Sequence, residues 1–538
     1  MKRLTLVSLL VSMLIAAAPA AANECAFENP LIQFGQDPSV IYVDGMYYLV
    51  QSTAGTLVLH AADTLTGLGR TQPVPIFTPP PAQPYSYDLW APELYYHEPT
   101  GEWFVYIAAT SSPGLNATHR MYAIQADSDD PLGSWSFRGK VYDPANDFWA
   151  IDGAVFTWDD QLYMVWSGWE TTQGDFPQNL YIAPMSDPLT ISGERVLISE
   201  PDQPWEMSVA QLQEGPQPFI YEDTLSIVYS ADASWSAAYS LGLLHLTGDD
   251  PLDPAAWTKI GPIFDRYDGE AGSVYGPGHN ASPVPSPDGR ESWLVYHAIA
   301  SEFGGWAERG IHAQPFTWNP DGTPYFGDPI PDEIPVDLPS GEPCGLIAFT
   351  PPASSPQAES AQAATSTAPQ ATYTLDGIPL ELGTGLLNTA NSYSAAVWVA
   401  LDSLDAPMAI LSQEGGLNSS FALEYVDGAF AFSQFAQMGM GVTRVSADVV
   451  PQAGEWVHLA AVYSLVDEEM RLYVNGELAG TAANPDAWDS RLTTLLGGVR
   501  QRGQRVNPLV GRVHDVRLYA GALDADEIAG LYRENPPG

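Results

Sequence analysis

The chain has 538 residues, which is too long for one ordinary domain and long enough to bury more than one hydrophobic core. Its formal net charge is −45, from 65 acidic and 20 basic residues. A charge of this size and sign argues against nucleic acid and anionic membranes as partners, and it suits an exported protein that meets a neutral polymer.

The first 22 residues have the pattern of a secretory signal peptide. Lys2 and Arg3 form its charged region, Leu4–Ala18 its apolar core, and Ala20–Ala22 a small-residue cleavage site before Asn23. The apolar run is short for a membrane span, and no later stretch is long and apolar enough to be one. We therefore expect a mature chain that begins at residue 23 and is extracellular.

The chain contains two cysteines, Cys25 and Cys344. The first opens the predicted mature chain, and the second closes the region of repeats described below. Because disulfides form and persist outside the cell, the sequence predicts that the two are bonded to each other.

A repeated pattern occupies residues from about 30 to 340, and it is clearest between Ile151 and Gly168. Asp152 precedes the apolar run 154–158, a tight turn follows at Asp159-Asp160, and the aromatic-rich run 162–166 returns. This pattern is typical of a β-hairpin with a carboxylate at its open end. Corresponding turns are found at Asp44-Gly45, Thr100-Gly101, Glu222-Asp223 and Asp288-Gly289.

Five such repeats, spaced by roughly 55 to 65 residues, predict a five-bladed β-propeller. The inner strands of a propeller begin near its axis, so Asp37, Asp152, Glu214 and His279 are expected to meet there. Cleavage of a glycosidic bond needs one carboxylic acid and one carboxylate, and a third carboxylate nearby raises the pKa of the acid. The same residues would also suit a calcium-binding propeller without catalytic activity.

Five short motifs, one in each repeat, resemble those of glycoside hydrolase family 43, whose fold is a five-bladed β-propeller. They are Asp37-Pro-Ser-Val40, Trp90-Ala-Pro-Glu-Leu94, Ala150-Ile-Asp-Gly153, Glu214-Gly-Pro216 and Tyr275-Gly-Pro-Gly-His-Asn280. The resemblance implies that Asp37 is the general base, that Glu214 is the general acid, and that Asp152 tunes and orients the acid. It also implies an inverting reaction, no organic cofactor, and a hydrated metal ion, usually calcium, held with the help of His279.

Within that family, residues 229–328 resemble the branch of exo-acting α-L-arabinofuranosidases. Arg309 lies where that branch has a basic residue, and the resemblance implies that it contacts the substrate. His312 and Ala281 replace an arginine and a serine that are frequent in the branch. Trp90, Trp169 and Trp235 are candidate walls of the sugar pocket, because sugars present C–H faces to aromatic rings. Packing in the core is an equally open role for each of these tryptophans.

The C-terminal part of the chain predicts a linker and a second β domain. Residues 351–374 are rich in Pro, Ser, Ala, Thr and Gln and lack the apolar content of a core, as flexible linkers do. Residues 375–538 contain short alternating strands, which predict an antiparallel β-sandwich. Motifs such as Gly454-Glu-Trp-Val-His458 and Asp515-Val-Arg-Leu-Tyr519 resemble the laminin-G-like, concanavalin-like jelly-roll family. Sugar binding and a spacer role both remain open for this domain.

Taken together, these patterns predict an all-β, exported, monomeric glycoside hydrolase with two domains. We expect it to release terminal α-L-arabinofuranosyl residues from the plant cell-wall polysaccharides arabinan and arabinoxylan. The alternatives are an endo-arabinanase or β-xylosidase of the same family, or a polysaccharide-binding protein that does not catalyse. A retaining fructan-cleaving family also joins a propeller to a sandwich, but its Asn-Asp-Pro-Asn-Gly motif is absent, since Asp37 is followed by Pro-Ser.

Overall fold

The computed structural model describes residues 25–172, 177–332, 334–347, 372–449, 451–484 and 486–537. The predicted signal peptide, residues 1–22, and most of the predicted linker, residues 351–374, lie outside these ranges. The described residues divide into two compact units: one runs from Phe27 to Cys344, and the other consists of the chain from Gly345 onward, with which Cys25 and Ala26 are grouped. The second unit therefore starts before the predicted boundary at residue 350, because Gly345–Ile347 pairs with strand Val510–Ala520 of the sandwich.

The first unit contains five antiparallel sheets that follow one another in chain order. Their strands are, in the first sheet, Ser39–Val43, Met46–Thr53, Thr56–Ala62 and Val74–Phe77; in the second, Tyr87–His97, Glu102–Thr110, Arg120–Ala126 and Trp135–Lys140; in the third, Ala150–Trp158, Gln161–Gly168, Asn179–Asp187, Thr190–Ile191 and Val196–Ser199; in the fourth, Gln213–Tyr221, Thr224–Ala231, Ser240–Leu246 and Trp257–Phe264; in the fifth, Tyr267–Gly269, Gly272–Gly278, Val284–Pro285, Ser292–Ile299, Arg309–Trp318 and Pro324–Tyr325. Ala26–Phe27 pairs with Val336–Asp337, and 3₁₀ turns occur at Thr66–Gly69, Asn116–Thr118, Pro204–Glu206, Pro254–Ala256 and Gly305–Glu308.

Four of the five predicted hairpins are confirmed by their pairing. In the first, Val43 pairs with Met46 across Asp44 (φ 51°) and Gly45 (φ 83°), so both turn residues have the left-handed backbone of a two-residue hairpin. The prediction for the fifth repeat was wrong in part. Its long inner strand is Gly272–Gly278, which precedes His279, and only Val284–Pro285 pairs in the predicted place. Prolines at positions 283 and 285 lack the N–H that a longer ladder needs.

Hydrophobic side chains join each sheet to the next one along the chain and the fifth sheet to the first. Between the first and fifth sheets, for example, Val40 and Leu49 lie in one buried cluster with Trp293 and Val295. Corresponding clusters join the remaining neighbours. The sheets therefore close into a ring, which confirms the predicted β-propeller. Cys25 and Cys344 are both disulfide-bonded, as predicted.

The second unit is the predicted antiparallel sandwich of two sheets. One sheet consists of Gly345–Ile347, Thr372–Asp376, Tyr393–Leu401, Val457–Ser464, Glu469–Val474, Glu477–Ala483 and Val510–Ala520; the other consists of Leu380–Thr384, Met408–Glu414, Ser419–Val426, Ala429–Phe435, Val442–Ser446 and Thr493–Leu496. A hairpin of Val499–Gln501 and Gln504–Val506 and the helix Ala525–Glu534 complete it. Residues 372–374 were predicted as linker, but their backbone pairs with 512–514, so hydrogen bonding extends the domain beyond what composition indicates.

Candidate active site

Each of the five propeller sheets has a left-handed residue near the head of its inner strand. These residues are Asp37 (φ 47°), Ala91 (φ 38°), Asp152 (φ 57°), Gly215 (φ 55°) and His279 (φ 44°). Four of the five are not glycine, so the backbone is strained there. Strain of this kind persists only where surrounding structure fixes it, and it marks the propeller axis as a candidate site.

β-Bulges accompany these positions. The ladder shifts register between Ile151 and Ala154 in the third sheet and between Glu214 and Gln217 in the fourth. A bulge turns the strand locally and changes the direction of its side chains. Gly215 has a positive φ of 55°, which favours glycine, and a Cβ there would lie 3.1 Å from Nδ1 of His279, which is a tight contact. The backbone of the fourth sheet can thus approach the histidine of the fifth.

Asp37 is held by one cation and two imidazole rings. Arg309 Nη1 donates to Asp37 Oδ1 at 2.9 Å, and Nδ1 of His297 and Nδ1 of His279 lie 3.4 and 3.5 Å from the same oxygen. Burial alone would raise the pKa of Asp37, but the Arg309 guanidinium beside it holds this pKa well below its usual range. Asp37 is therefore ionised at any working pH and available as a base.

The environment of Glu214 shifts its pKa in the opposite direction to that of Asp37. Burial raises its pKa to about 7, and the charge of Asp37 acts in the same direction, although Tyr239 donates a hydrogen bond of 2.9 Å to Glu214 Oε1. Burial and the neighbouring Glu214 and Asp37 also raise the pKa of Asp152 well above its ordinary value, although the Gly215 N–H donates to Asp152 Oδ2 at 2.9 Å. The site thus holds an ionised carboxylate beside two carboxyl groups whose pKa values are raised, the pairing that acid–base catalysis needs.

A further carboxyl group and two neutral imidazoles lie at the axis. Burial raises the pKa of Glu93 to about 8 despite a hydrogen bond of 2.7 Å from Gln217 Nε2 to its Oε1. Burial lowers the pKa of His279, and it lowers that of His297 to about 3. Both rings are therefore uncharged at neutral pH, and Arg309 is the cation that balances Asp37.

The residues around His279 bear on whether the axis can hold a metal ion. In the part of the chain that the structure describes, no three His, Cys, Asp or Glu side chains are grouped as direct ligands. His279 Nε2 is buried without a hydrogen-bond partner, 4.0 Å from Glu93 Oε1. One nitrogen and one distant carboxyl group are too few for calcium, which takes six to eight oxygen ligands. These residues fit a cation that keeps most of its water shell, and they do not fit one that is held directly.

The predicted sugar-contacting residues occupy different environments. Trp90 is 37% exposed and stacks on His119 with ring centroids 3.9 Å apart, and Trp235 is 40% exposed and meets Trp306 edge-on at 5.3 Å. Trp169 is buried against Trp149, which leaves it a packing role. Arg309 is buried and contacts Asp37, so it acts on the candidate base.

Residues 27–324 match the model of glycosyl hydrolases family 43 over more than half of the chain. The chain belongs to this family. Two curated relatives are an extracellular exo-α-(1→5)-L-arabinofuranosidase of Streptomyces avermitilis, 34% identical over 59% of this chain, and α-L-arabinofuranosidase 43 of Humicola insolens, 32% identical over 60%. This chain covers 66% of the first relative's length and 69% of the second's.

Structural comparison agrees with the family assignment. The family 43 enzyme superposes on the crystal structure of an α-L-arabinofuranosidase from Lactobacillus brevis with a TM-score of 0.53 and 33% identity. The match covers 57% of this chain and 98% of that one. Residues 376–529 match the concanavalin A-like lectin/glucanases superfamily.

Among the described residues, we find no helix with the length and hydropathy to cross a membrane.

Sequence analysis of this family 43 enzyme missed three residues that contact the proposed machinery. Glu93 lies near the head of the inner strand of the second repeat, two residues after Ala91, as Asp152 and Glu214 lie near the heads of theirs. The repeat pattern itself therefore contained a signal for it. His297 and Tyr239 are on strands and loops that carry no such signal. Only the folded ring brings His297 to Asp37 and Tyr239 to Glu214.

Removing the Tyr239 hydroxyl is expected to move the alkaline limb of the pH profile of kcat/KM to higher pH. The hydroxyl donates to Glu214 and stabilises its ionised form, so Tyr239→Phe raises the pKa of Glu214 above about 7. A general acid works while protonated, and kcat/KM of the variant should therefore persist to higher pH. Measuring kcat/KM between pH 5 and 9 tests this, with Tyr221→Phe as the control. A limb that stays in place or moves downward contradicts the assignment of Glu214.

Proposed function

We propose that this family 43 enzyme releases terminal α-L-arabinofuranosyl residues from arabinan or arabinoxylan with inversion at the anomeric carbon. The observation that carries the proposal is the opposed ionisation of Asp37, held ionised by Arg309, and Glu214, with a raised pKa of about 7. The printed names of the curated relatives support the choice of sugar.

In the proposed reaction, one water molecule attacks the anomeric carbon in a single displacement. The water oxygen bonds to the anomeric carbon while Asp37 accepts a proton from the water. The glycosidic bond breaks, and Glu214 donates its proton to the leaving glycosidic oxygen. The products are one free sugar of inverted configuration and a shortened glycan. Arg309 orients Asp37. Asp152 and Glu214 disfavour ionisation of both groups together, so the pair retains a proton that Glu214 can donate.

Product analysis tests the proposal directly. Purified enzyme is given p-nitrophenyl α-L-arabinofuranoside and linear arabinan, and the products are resolved by size and by anomeric proton NMR during the first minutes. We expect free arabinose from both substrates and initial formation of the β-anomer. Oligosaccharides from arabinan, with the small glycoside untouched, would instead support an endo-arabinanase. Release of xylose from xylosides alone would support a β-xylosidase. Binding of polysaccharide without turnover would support a non-catalytic protein.

We also propose that a hydrated cation, with calcium the expected ion, lies near His279 and Glu93. Such an ion would supply positive charge beside the clustered carboxyl groups. Calcium added to EDTA-treated protein should raise Tm, since a ligand at 100 times its Kd stabilises a fold by about 2.7 kcal/mol. The rise should be lost in His279→Ala and kept in His245→Ala. An equal response in both variants would place the ion elsewhere.

We also propose where the protein acts and how many chains it contains. The names of two Streptomyces relatives include the word extracellular, which supports the predicted signal peptide. We propose a secreted monomer that acts on plant cell-wall polysaccharide. Sequencing the N-terminus of protein recovered from culture medium should give residue 23, and light scattering should give the mass of one chain. An uncleaved N-terminus or a larger mass would contradict these statements.

A further inference from the structure

A cavity of about 280 Å³ opens in the C-terminal sandwich, far along the chain from the candidate active site. It lies beside the paired strands Ala429–Phe435 and Val442–Ser446 and the segment that follows strand Glu477–Ala483. We refer to it as the sandwich pocket, and its principal lining residues are Thr389, Ser420, Gln434, Thr443, Asn484 and Trp488. Its volume is near the lower end of small-molecule sites, which occupy roughly 300–1,000 Å³.

The floor of the sandwich pocket is polar although it is buried. Thr389, Ser420, Gln434 and Asn484 are each at least nine-tenths buried. Asn484 Nδ2 donates to Gln434 Oε1, and Gln434 Nε2 donates to the Tyr393 hydroxyl at 2.9 Å, so the two amides are fixed in orientation. Buried polar groups lower stability unless they are hydrogen-bonded, and apolar residues would fill such a floor at less cost. An oriented polar floor therefore indicates a site for a polar ligand.

Three polar groups at this pocket remain available to such a ligand. Among the described residues, no side-chain hydrogen bond is made by the Thr443 hydroxyl, the Asp486 carboxylate or the Asn484 Oδ1 atom. Two of them are acceptors, and the third is both donor and acceptor. This arrangement matches a ligand with several adjacent hydroxyl groups.

Trp488 supplies the aromatic wall. The indole N–H donates to the Phe435 carbonyl oxygen at 2.6 Å, and a Cβ at Gly415 would lie only 2.4 Å from the ring. The ring is therefore held on two sides, yet it is only half-buried and lines the cavity. A fixed indole offers a large apolar surface at little entropic cost on binding.

The charge of the pocket narrows the class of ligand. Of the lining residues that the structure describes, none is lysine or arginine, and Asp486 is the one with an ionisable side chain. An anionic sugar or phosphate would be repelled by Asp486 and by a net charge of −45. A purely apolar ligand would leave the Asn484 Oδ1 atom without a hydrogen-bond partner. We propose that the sandwich pocket binds a neutral sugar unit of a polysaccharide, with hydroxyl groups on Asn484, Thr443 and Asp486 and a C–H face on Trp488.

Affinity electrophoresis of the full chain tests this proposal. Native gels are cast with linear arabinan, arabinoxylan or anionic polygalacturonan, and every protein carries Asp37→Asn to limit hydrolysis. We expect retardation by a neutral polymer, with the apparent affinity about tenfold weaker in Trp488→Ala. Trp456→Ala is the matched control, since Trp456 is a half-buried tryptophan of the same unit outside the pocket. Its affinity should be unchanged.

A thermal melt of each variant separates loss of binding from loss of folding. If Trp488→Ala fails to fold, the double variant Thr443→Val with Asp486→Asn changes the pocket mouth alone, and it should weaken retardation about threefold or more. Equal retardation of folded Trp488→Ala and Trp456→Ala would overturn the proposal. So would equal retardation by polygalacturonan, or no retardation of the parent protein by either neutral polymer.

Discussion

Asp37→Asn is expected to reduce kcat on both arabinan and p-nitrophenyl α-L-arabinofuranoside by roughly 10²- to 10⁴-fold, the contribution typical of a general base. The amide can still accept the hydrogen bond from Arg309, but it cannot take a proton from water. Asparagine is also preferable to alanine for structural reasons. The φ of 47° at this position is tolerated by Asn and strained for Ala, so the effect on chemistry is separated from strain.

The chain supplies a matched control for this change. Asp44 is another aspartate with a left-handed backbone, at φ 51°, and it is in an exposed hairpin turn. Asp44→Asn should leave kcat and KM unchanged. Near-normal turnover by Asp37→Asn, with the melting temperature preserved, would rule out Asp37 as the base.

Glu214→Gln is expected to act very differently on two substrates. Hydrolysis of arabino-oligosaccharides, whose leaving alcohol needs a proton, should fall by roughly 10²- to 10⁴-fold. Hydrolysis of p-nitrophenyl α-L-arabinofuranoside should fall much less, because p-nitrophenolate leaves without protonation. For p-nitrophenyl α-L-arabinofuranoside, the alkaline limb near pH 7 should disappear from the pH profile of the rate, since the carboxyl group with the raised pKa is gone.

Comparison of the two substrates is decisive for this assignment. An equal loss on both would mean that Glu214 is required for a reason other than proton donation. Glu222→Gln is the control, since Glu222 is at the other end of the same hairpin and exposed to solvent. It should leave both rates unchanged and thereby exclude a general effect of lost negative charge.

Local sequence determined much of the fold. Turn pairs such as Asp44-Gly45 adopt the left-handed backbone that the hairpins need, and strand alternation on either side places the apolar residues between neighbouring sheets. The disulfide was predicted from the two cysteines of the chain together with its expected export, and both cysteines are disulfide-bonded. In the fifth repeat the inner strand was misplaced, because the prolines at 283 and 285 interrupt a run whose apolar pattern otherwise resembles a strand.

The carboxyl groups of Asp37, Asp152 and Glu214 were found from sequence because each lies near the head of the inner strand of its repeat, whereas that of Glu93 was missed. Their ionisation states could not be predicted from sequence. The pKa of Asp37 is lowered and that of Glu214 is raised, and these opposite shifts arise from burial and from partners distant in sequence. Arg309 reaches Asp37 across 272 residues, and Tyr239 reaches Glu214 from a neighbouring element. A repeat pattern predicts that strand heads converge, but only ring closure decides which side chains then touch.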